Sequence, residues 1–263
     1  MDRVFLDFGV FKIYYYSLFI FLGVLMALVV VYLELKKEKI DHDKLIDVVF
    51  YTIIWSFIGA RLYYVIFNLS YYLNNPLEIF YVWHGGLAIH GGILGGFLYL
   101  LFHSRKQKFN LLKFLDIVVV GLILGQALGR WGNFFNSEAY GNLTTLEELQ
   151  SLRIPEFIIE GMYINGNYYQ PTFFYESICD FLGFITLVLI RYKKKNLRVG
   201  QLSGIYLMWY SGTRFFIEGL RMDSLMLGSI RVAQLVSIVL LMIGIYLTFI
   251  KKSKLYKEVK INE

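Results

Sequence analysis

Seven stretches of the chain are apolar over long runs: Ile13 to Leu33, Leu45 to Phe67, Leu87 to Phe102, Phe114 to Phe135, Thr172 to Ile190, Leu202 to Glu218 and Val232 to Ile250. Each approaches the roughly 20 residues that a helix needs to cross a hydrocarbon core of about 30 Å. Within a bilayer such helices satisfy their own backbone, which irregular chain cannot do. The pattern predicts an all-α polytopic membrane protein with about seven transmembrane helices in one domain, residues 1–263. The segment Met1 to Phe11 alternates apolar and charged residues, is too short to span, and is expected along the membrane surface. No small-residue cleavage site follows the first apolar run, so that run reads as a retained helix.

Lysine and arginine between the runs set the orientation. Lys36, Lys37, Lys39 and Lys44 form one basic connector; Arg105, Lys106, Lys108 and Lys113 form the next, followed by Arg191, Lys193, Lys194, Lys195 and Arg198, then the tail from Lys251 to Lys260. These are alternate connectors. Asn68 to Gly86 has no lysine or arginine, and the chain after Gly132 has only Arg153 before Arg191. The N-terminus is therefore expected outside and the C-terminus in the cytoplasm. The longest connector, residues 142–171, falls outside and carries Asn165-Gly166, a hairpin signal, between Phe157-Ile158-Ile159 and Tyr168-Tyr169. It is expected to form a small extracytoplasmic head.

Composition adds little to this picture. A hydrophobic share of 57% and a mean hydropathy of +0.54 exclude a soluble globular domain. The net charge of +6 sits in the connectors, so no nucleic-acid partner is expected. One cysteine, Cys179, excludes an internal disulfide and a cysteine metal site, and its apolar run makes it a packing residue.

The chemistry collects in Leu128-Gly129-Arg130-Trp131-Gly132-Asn133-Phe134-Phe135-Asn136-Ser137-Glu138-Ala139-Tyr140-Gly141. An arginine at the middle of a spanning helix costs about 2.5–3.5 kcal/mol on insertion scales and usually faces a bundle interior or a wet cavity. Arg61, Arg214 and Arg221 also fall in the outer half, and the four together carry roughly 10 kcal/mol if unpaired. Arg214 and Glu218 are one helical turn apart and Arg221 continues the stripe, so a structural ion pair and an anion contact both fit. Arg130 has no carboxylate a turn away in its own helix; Glu138 is the candidate to fold back as its partner.

Guanidinium forks meet phosphate bidentately and cannot be titrated away, so several at outer-leaflet depth suggest a phospholipid headgroup. Asn133 and Asn136 add neutral donors, and Gly129 and Gly132 permit close backbone approach. His84 and His90 flank the first turns of a second glycine-rich stretch, His84 to Gly96. His90, inside the apolar run, fits proton transfer or substrate contact, and His84 a structural role. No histidine–carboxylate spacing suits a metal, and no cofactor is expected. Tyr16 and Tyr210 stand at the depth of the same anion. Asp116 reads as the cap of its own helix, and Glu176, near a helix start, as a group able to orient an arginine.

His90-Gly91-Gly92, the block Gly129 to Asn136 with Glu138 and Gly141, the segment Gln170-Pro171-Thr172 to Tyr175-Glu176, and Arg214 to Glu218 followed by Arg221 together resemble the bacterial prolipoprotein diacylglyceryl transferases. The resemblance covers nearly the whole chain. It implies a multi-pass enzyme of the bacterial cytoplasmic (inner) membrane, active toward the outer leaflet. Such an enzyme moves the diacylglyceryl group of phosphatidylglycerol to the thiol of the lipobox cysteine in a preprolipoprotein signal peptide, releasing glycerol phosphate. It places functional residues at Tyr16, Arg61, His90, Arg130, Asn133, Glu138, Gly141, Tyr210, Arg214 and Glu218. His90 is then the candidate base, Arg130 and Arg214 stabilise the leaving phosphate, Glu138 and Glu218 fix the arginines, and membrane lipids reach the site sideways. A rival reading is a transporter of anionic lipids or small anions, although the polar residues collect on one side. An intramembrane aspartic protease is disfavoured because Asp116 and Asp180 fall at different depths.

Overall fold

The computed structural model describes residues 3–9, 12–37, 42–107, 109–222 and 224–261, with the side chains of 42–46 excepted. Lys39 and Lys108 of the basic connectors, the side chain of Lys44, and Met1 and Phe11 at the bounds of the first segment lie outside the described residues. The chain is mostly helical and divides into two compact units, Met1–Glu34 with Leu112–Val259, and Leu35–Leu111 with Lys260–Glu263.

The first unit opens with a hairpin of β1 (Val4–Asp7) and β2 (Lys12–Tyr14), in and just beyond the segment expected along the membrane surface. Lys12 pairs with Asp7 at 2.9 Å; that ammonium and the Gly9 N–H hold the Asp7 carboxyl below the usual carboxylate range. Helix α1 (Tyr15–Lys37) follows, and helix α2 (His42–Phe67) belongs to the second unit. Also in the second unit are α3 (Leu69–Asn74) and α4 (Ile89–Gln107). Helix α5 (Leu111–Asn136) then carries the arginine motif.

The 142–171 insertion is not all helix. It builds β3 (Leu143–Thr144), α6 (Leu146–Ser151), α7 (Glu156–Gly161), β4 (Tyr163–Ile164) and β5 (Asn167–Tyr169), with strand order β3-β5-β4. Asn165 and Gly166 form the expected turn, at φ 50° and 86°, because a two-residue hairpin loop of this hand needs positive φ at both positions. The strand before it is Tyr163–Ile164; Phe157-Ile158-Ile159 lies in α7, where Ile158 and Ile159 fill a small core with Leu149, Met162 and Phe173.

Helices α8 (Thr172–Lys193), α9 (Gln201–Leu220) and α10 (Val232–Ile245) complete the unit, α10 running on through a π turn at Tyr246–Ile250. A short hairpin of β6 (Met226–Leu227) and β7 (Ile230–Arg231), unforeseen in the sequence, turns through Gly228 at φ 62°. Without a hydrophobic drive between helices in lipid, close approach depends on small residues. A methyl added at Gly23 of α1 would lie 2.7 Å from the Gly125 carbonyl of α5, and one at Gly204 of α9 would lie 2.8 Å from the Gly244 carbonyl of α10.

Asp116 does not cap its own helix. Fully buried on α5, it accepts hydrogen bonds from the Gly200 and Ser203 backbone N–H groups (2.6 and 2.7 Å) and the Ser203 hydroxyl, capping α9 from a neighbouring element. The basic tail is likewise docked: Leu255 bridges to Arg198, and Tyr256 and Val259 join the core of Val120, Ile123, Leu187 and Leu202. In the second unit α2 packs on α4 through Gly59, Gly91 and Gly95.

Among the described residues five helices are long and apolar enough to cross a membrane: Tyr15–Lys37, Asp47–Phe67, Leu111–Asn136, Thr172–Lys193 and Val232–Ile250. Helices α4 and α9, at 19 and 20 residues, have lengths of about 30 Å. Their hydropathy is diluted by four glycines in α4 and by Ser203, Ser211, Thr213, Arg214 and Glu218 in α9.

Gly125 and Gly129, one turn apart on α5, differ in space. A methyl at Gly125 would meet the Gly23 carbonyl at 2.9 Å, whereas at Gly129 its nearest neighbour is the Ile20 Cδ1 at 3.6 Å. Gly125→Ala is expected to cost about 1–3 kcal/mol, and Gly129→Ala to leave stability unchanged or slightly raised. Thermal unfolding of the purified variants checks the difference; equal melting temperatures would refute the crossing.

Candidate active site

Three helix segments of the first unit place the site: the end of α5, the first turns of α8 and the second half of α9. Helix α8 starts at Thr172, whose hydroxyl donates to the Ala139 carbonyl, and this sets Glu176 one turn into the helix. Trp131 Nε1 donates to Ser177 Oγ at 3.1 Å, and Ser177 Oγ donates to the Ala127 carbonyl at 2.9 Å, locking α8 against α5 beside Arg130.

Glu176, only 4% exposed, takes a guanidinium on each oxygen. Arg130 Nε lies 2.6 Å from Oε2, and Arg214 Nη1 lies 2.7 Å from Oε1. Arg214 Nη2 also reaches Glu218 Oε2 at 2.7 Å, and Arg221 Nε stands 4.0 Å from that same oxygen. Arg130 and Arg214, from different helices, are thus brought together by a shared buried carboxylate. Three positive and two negative groups alternate along this chain. Removing one partner of a buried pair of this kind costs about 3–5 kcal/mol, because the other charge stays buried and uncompensated.

Sequence reasoning gave Arg130 the wrong partner. Glu138 is exposed and its carboxylate accepts from Asn136 Nδ2 at 3.3 Å; the anchor of Arg130 is Glu176, which the sequence marked only as able to orient an arginine. Helical spacing reveals partners within one helix, and Glu176 is 46 residues away on another. The Arg214–Glu218 pair, one turn apart on α9, was legible by that rule.

The loop after α5 is strained. Ser137 and Ala139 adopt φ of 54° and 57°, a region that costs side-chain-bearing residues free energy and recurs at functional sites. Glu138 N–H to the Asn133 carbonyl (3.0 Å) and Gly141 N–H to the Gln170 carbonyl (2.8 Å) hold it, with the Thr172 bond to Ala139. A Cβ at Gly141 would press on Gln170 and Thr172 at 2.9 Å, so glycine is needed there for close approach. Gly132 packs on Tyr16, where a Cβ would meet Cδ2 at 3.1 Å, but Gly129 has no such neighbour. Tyr16 is 37% exposed at the start of α1, and the side-chain amide of Asn133 has no hydrogen-bond partner among the described residues. Tyr210 stacks on Tyr206 at 6.0 Å, one turn before Arg214.

Arg61 and His90 belong to the second unit and are described with it. Arg61, 6% exposed, spends its guanidinium on backbone carbonyls: Ile79 at 3.0 Å, Gly85 at 2.7 Å, Gly86 at 2.9 Å, and Glu78. It stands over the Tyr72 ring as well, 5.2 Å from the centroid. Its donors organise the 78–86 loop that leads into α4, a role that residue type alone did not disclose. His84 Nδ1 pairs with Glu78 Oε2 at 2.9 Å, in line with the structural role expected of it. His90, exposed in the first turn of α4, lies near Tyr63 (ring centroids 6.2 Å), and its ring makes no hydrogen bond among the described residues. Among the described residues no group of three histidine, cysteine or acidic side chains is arranged to hold a metal ion.

The chain as a whole matches known proteins. A family model described as "LGT: Prolipoprotein diacylglyceryl transferase" matches residues 3–250. Relatives named phosphatidylglycerol–prolipoprotein diacylglyceryl transferase include those of Staphylococcus haemolyticus, 49% identical over 98% of this chain and 92% of that protein, and Staphylococcus xylosus, 46% identical over 97% and 91%. That of Halalkalibacterium halodurans is 47% identical over 97% of this chain and 88% of its own length. With a match that runs through both units and every helix carrying a candidate residue, the chain belongs to the prolipoprotein diacylglyceryl transferase family.

Proposed function

We infer that this protein transfers the diacylglyceryl group of phosphatidylglycerol to a prolipoprotein, the step its relatives are named for. The observation that carries the mechanism is the pair of arginines held on Glu176. The acceptor is the thiol of a lipobox cysteine. Its sulfur attacks the glycerol carbon bonded to the phosphate oxygen; the S–C bond forms, the C–O bond breaks, and the electron pair leaves on glycerol phosphate. Negative charge therefore builds on the departing phosphate. Guanidinium groups already fixed in place stabilise it there without reorganising, which favours the transition state over the ground state.

Arg130 and Arg214 fill that role, with Glu218 and Glu176 fixing them and Asn133, Tyr16 and Tyr210 orienting the headgroup. Glu138 and Gly141 shape the loop that carries the motif. A thiol with a reference pKa of about 8.5 needs a proton acceptor or a positive field, and His90 is the proposed base. Arg61 supports the approach to His90 through the 78–86 loop.

The remaining expectations fit this reading. Helices α4 and α9 join the five apolar ones as spans, giving seven. The basic connectors put the N-terminus outside, the C-terminus in the cytoplasm, and the 142–171 head and the arginines toward the outer leaflet of the bacterial inner membrane. Both substrates, a membrane lipid and a signal-peptide helix, enter sideways from the bilayer.

Purified protein in liposomes with labelled phosphatidylglycerol and a lipobox peptide is expected to label the cysteine and release glycerol phosphate. Headgroup movement across the bilayer without product would indicate a transporter instead. Glu176→Gln is expected to lower kcat about 100-fold or more, with the protein still inserted; an unchanged rate would remove the shared carboxylate from the mechanism. His90→Gln should abolish the fall in rate at acid pH that protonation of a base produces, and a wild-type profile retained in that variant would leave thiolate formation to the arginine field.

A further inference from the structure

The connector after α8 and the tail after Ile250 bring positive charge to one place in the first unit. The tail folds back on the connector. Tyr256 N–H donates to the Leu197 carbonyl at 2.7 Å, Val199 N–H donates to the Lys254 carbonyl at 3.2 Å, and Leu255 bridges to Arg198. Tyr256 and Val259 are buried, and Lys113, in the first turn of α5, donates to the Val259 carbonyl. Around this docked segment Lys193 to Lys195, Arg198, Lys252, Lys254 and Lys257 are exposed and make no ion pair among the described residues. Glu258 is the one acidic residue in the two paired segments, 193–199 and 251–259.

Two tasks compete for these charges. Positive residues between spans steer insertion, and for that the charge need only be present in the chain. The docked tail goes further: ordering it costs conformational freedom, and the result is a fixed strip whose cations far outnumber its single anion. What adjoins the strip identifies its partner. It begins where the apolar segments Thr172–Lys193 and Val232–Ile250 end. Leu189, Tyr246, Phe249 and Ile250, within about two turns of it along those helices, are exposed. In a bilayer, lipid chains cover such side chains, which brings the headgroups of the same lipids level with the strip. A nucleic acid or acidic protein, approaching from water, would leave those apolar side chains uncovered. Clustered lysine and arginine beside a spanning helix attract headgroups of net negative charge.

We propose that the docked tail and the connector after α8 form a binding surface for anionic phospholipid headgroups, separate from the arginine site. Lys113, which holds the tail, and Arg130 stand at opposite ends of α5, about 25 Å apart along its axis by the rise of an α-helix. A lipid on the strip is therefore not the lipid on Arg130 and Arg214. The strip selects charge rather than headgroup shape, because lysine ammonium groups act as mobile point charges, unlike the fixed guanidinium forks on Glu176.

The test places a fluorophore on Ser253→Cys, between Lys252 and Lys254, in a Cys179→Ala background of the protein in phosphatidylcholine bilayers. Quenching is compared for phosphatidylserine and phosphatidylcholine that each carry a nitroxide high on one chain. Phosphatidylserine should reach the same quenching at about one-tenth of the mole fraction. That advantage should vanish in about 1 M salt, where screening acts beyond about 3 Å. Lys194→Gln, Arg198→Gln, Lys254→Gln and Lys257→Gln combined should abolish it, whereas Arg130→Lys combined with Arg214→Lys should keep it. Equal quenching by the two lipids overturns the proposal and leaves the strip to insertion or to an acidic partner from water. An advantage that survives high salt, or that is lost in the arginine variant, overturns it as well. Because connector charges also steer insertion, the salt dependence of the unsubstituted strip decides the matter where the fourfold variant does not insert.

Discussion

Two arginines sharing one buried carboxylate is the interaction on which the first unit turns. Glu176 draws Arg130 from α5 and Arg214 from α9 onto α8, and the free energy of leaving either arginine unpaired fixes how the three helices meet. In the mechanism proposed above, the same restraint serves chemistry. Guanidinium groups held by a carboxylate behind them are aimed before a substrate arrives, and a pre-aimed donor loses nothing to reorganisation as charge develops. In the proposed mechanism stability and catalysis are two consequences of one geometry.

Around that network the packing follows from the solvent. In an apolar medium helices gain little by hiding apolar side chains from one another, so the close crossings are made by glycines, Gly23 on Gly125 and Gly204 on Gly244. Large apolar residues such as Phe21, Phe216 and Phe249 face outward instead. Several buried polar groups take partners from elsewhere in the fold. Asp116 caps the start of α9, Lys113 reaches the Val259 carbonyl, and Glu34 pairs with Arg191.

Long apolar runs, basic connectors and the Asn165-Gly166 turn were legible in the sequence because each depends on neighbours in the chain. The Arg214–Glu218 pair was legible for the same reason. What sequence spacing did not disclose is what distant segments share. Glu176 lies 46 residues from Arg130, Asp116 accepts from Gly200 at a helix start 84 residues on, and Arg61 binds carbonyls 17 to 25 residues on. The short strands near Val4 and Met226 escaped notice because two- to four-residue hairpins carry little periodic signal. Docking of the tail up to Val259 was masked by its charge, although Tyr256 and Val259 are buried and Leu255 bridges to Arg198.

The central claim is that Arg130 and Arg214 touch the lipid phosphate. Magnetic-resonance dephasing between lipid phosphorus and guanidinium nitrogen, on arginine-labelled protein in phosphatidylglycerol bilayers, measures that proximity directly. The account predicts phosphorus within hydrogen-bonding reach of both guanidinium groups, so that Arg130→Lys abolishes one of the two dephasing signals and Arg214→Lys abolishes the other. Dephasing that survives both substitutions, or that involves only arginines outside the Glu176 network, would contradict it.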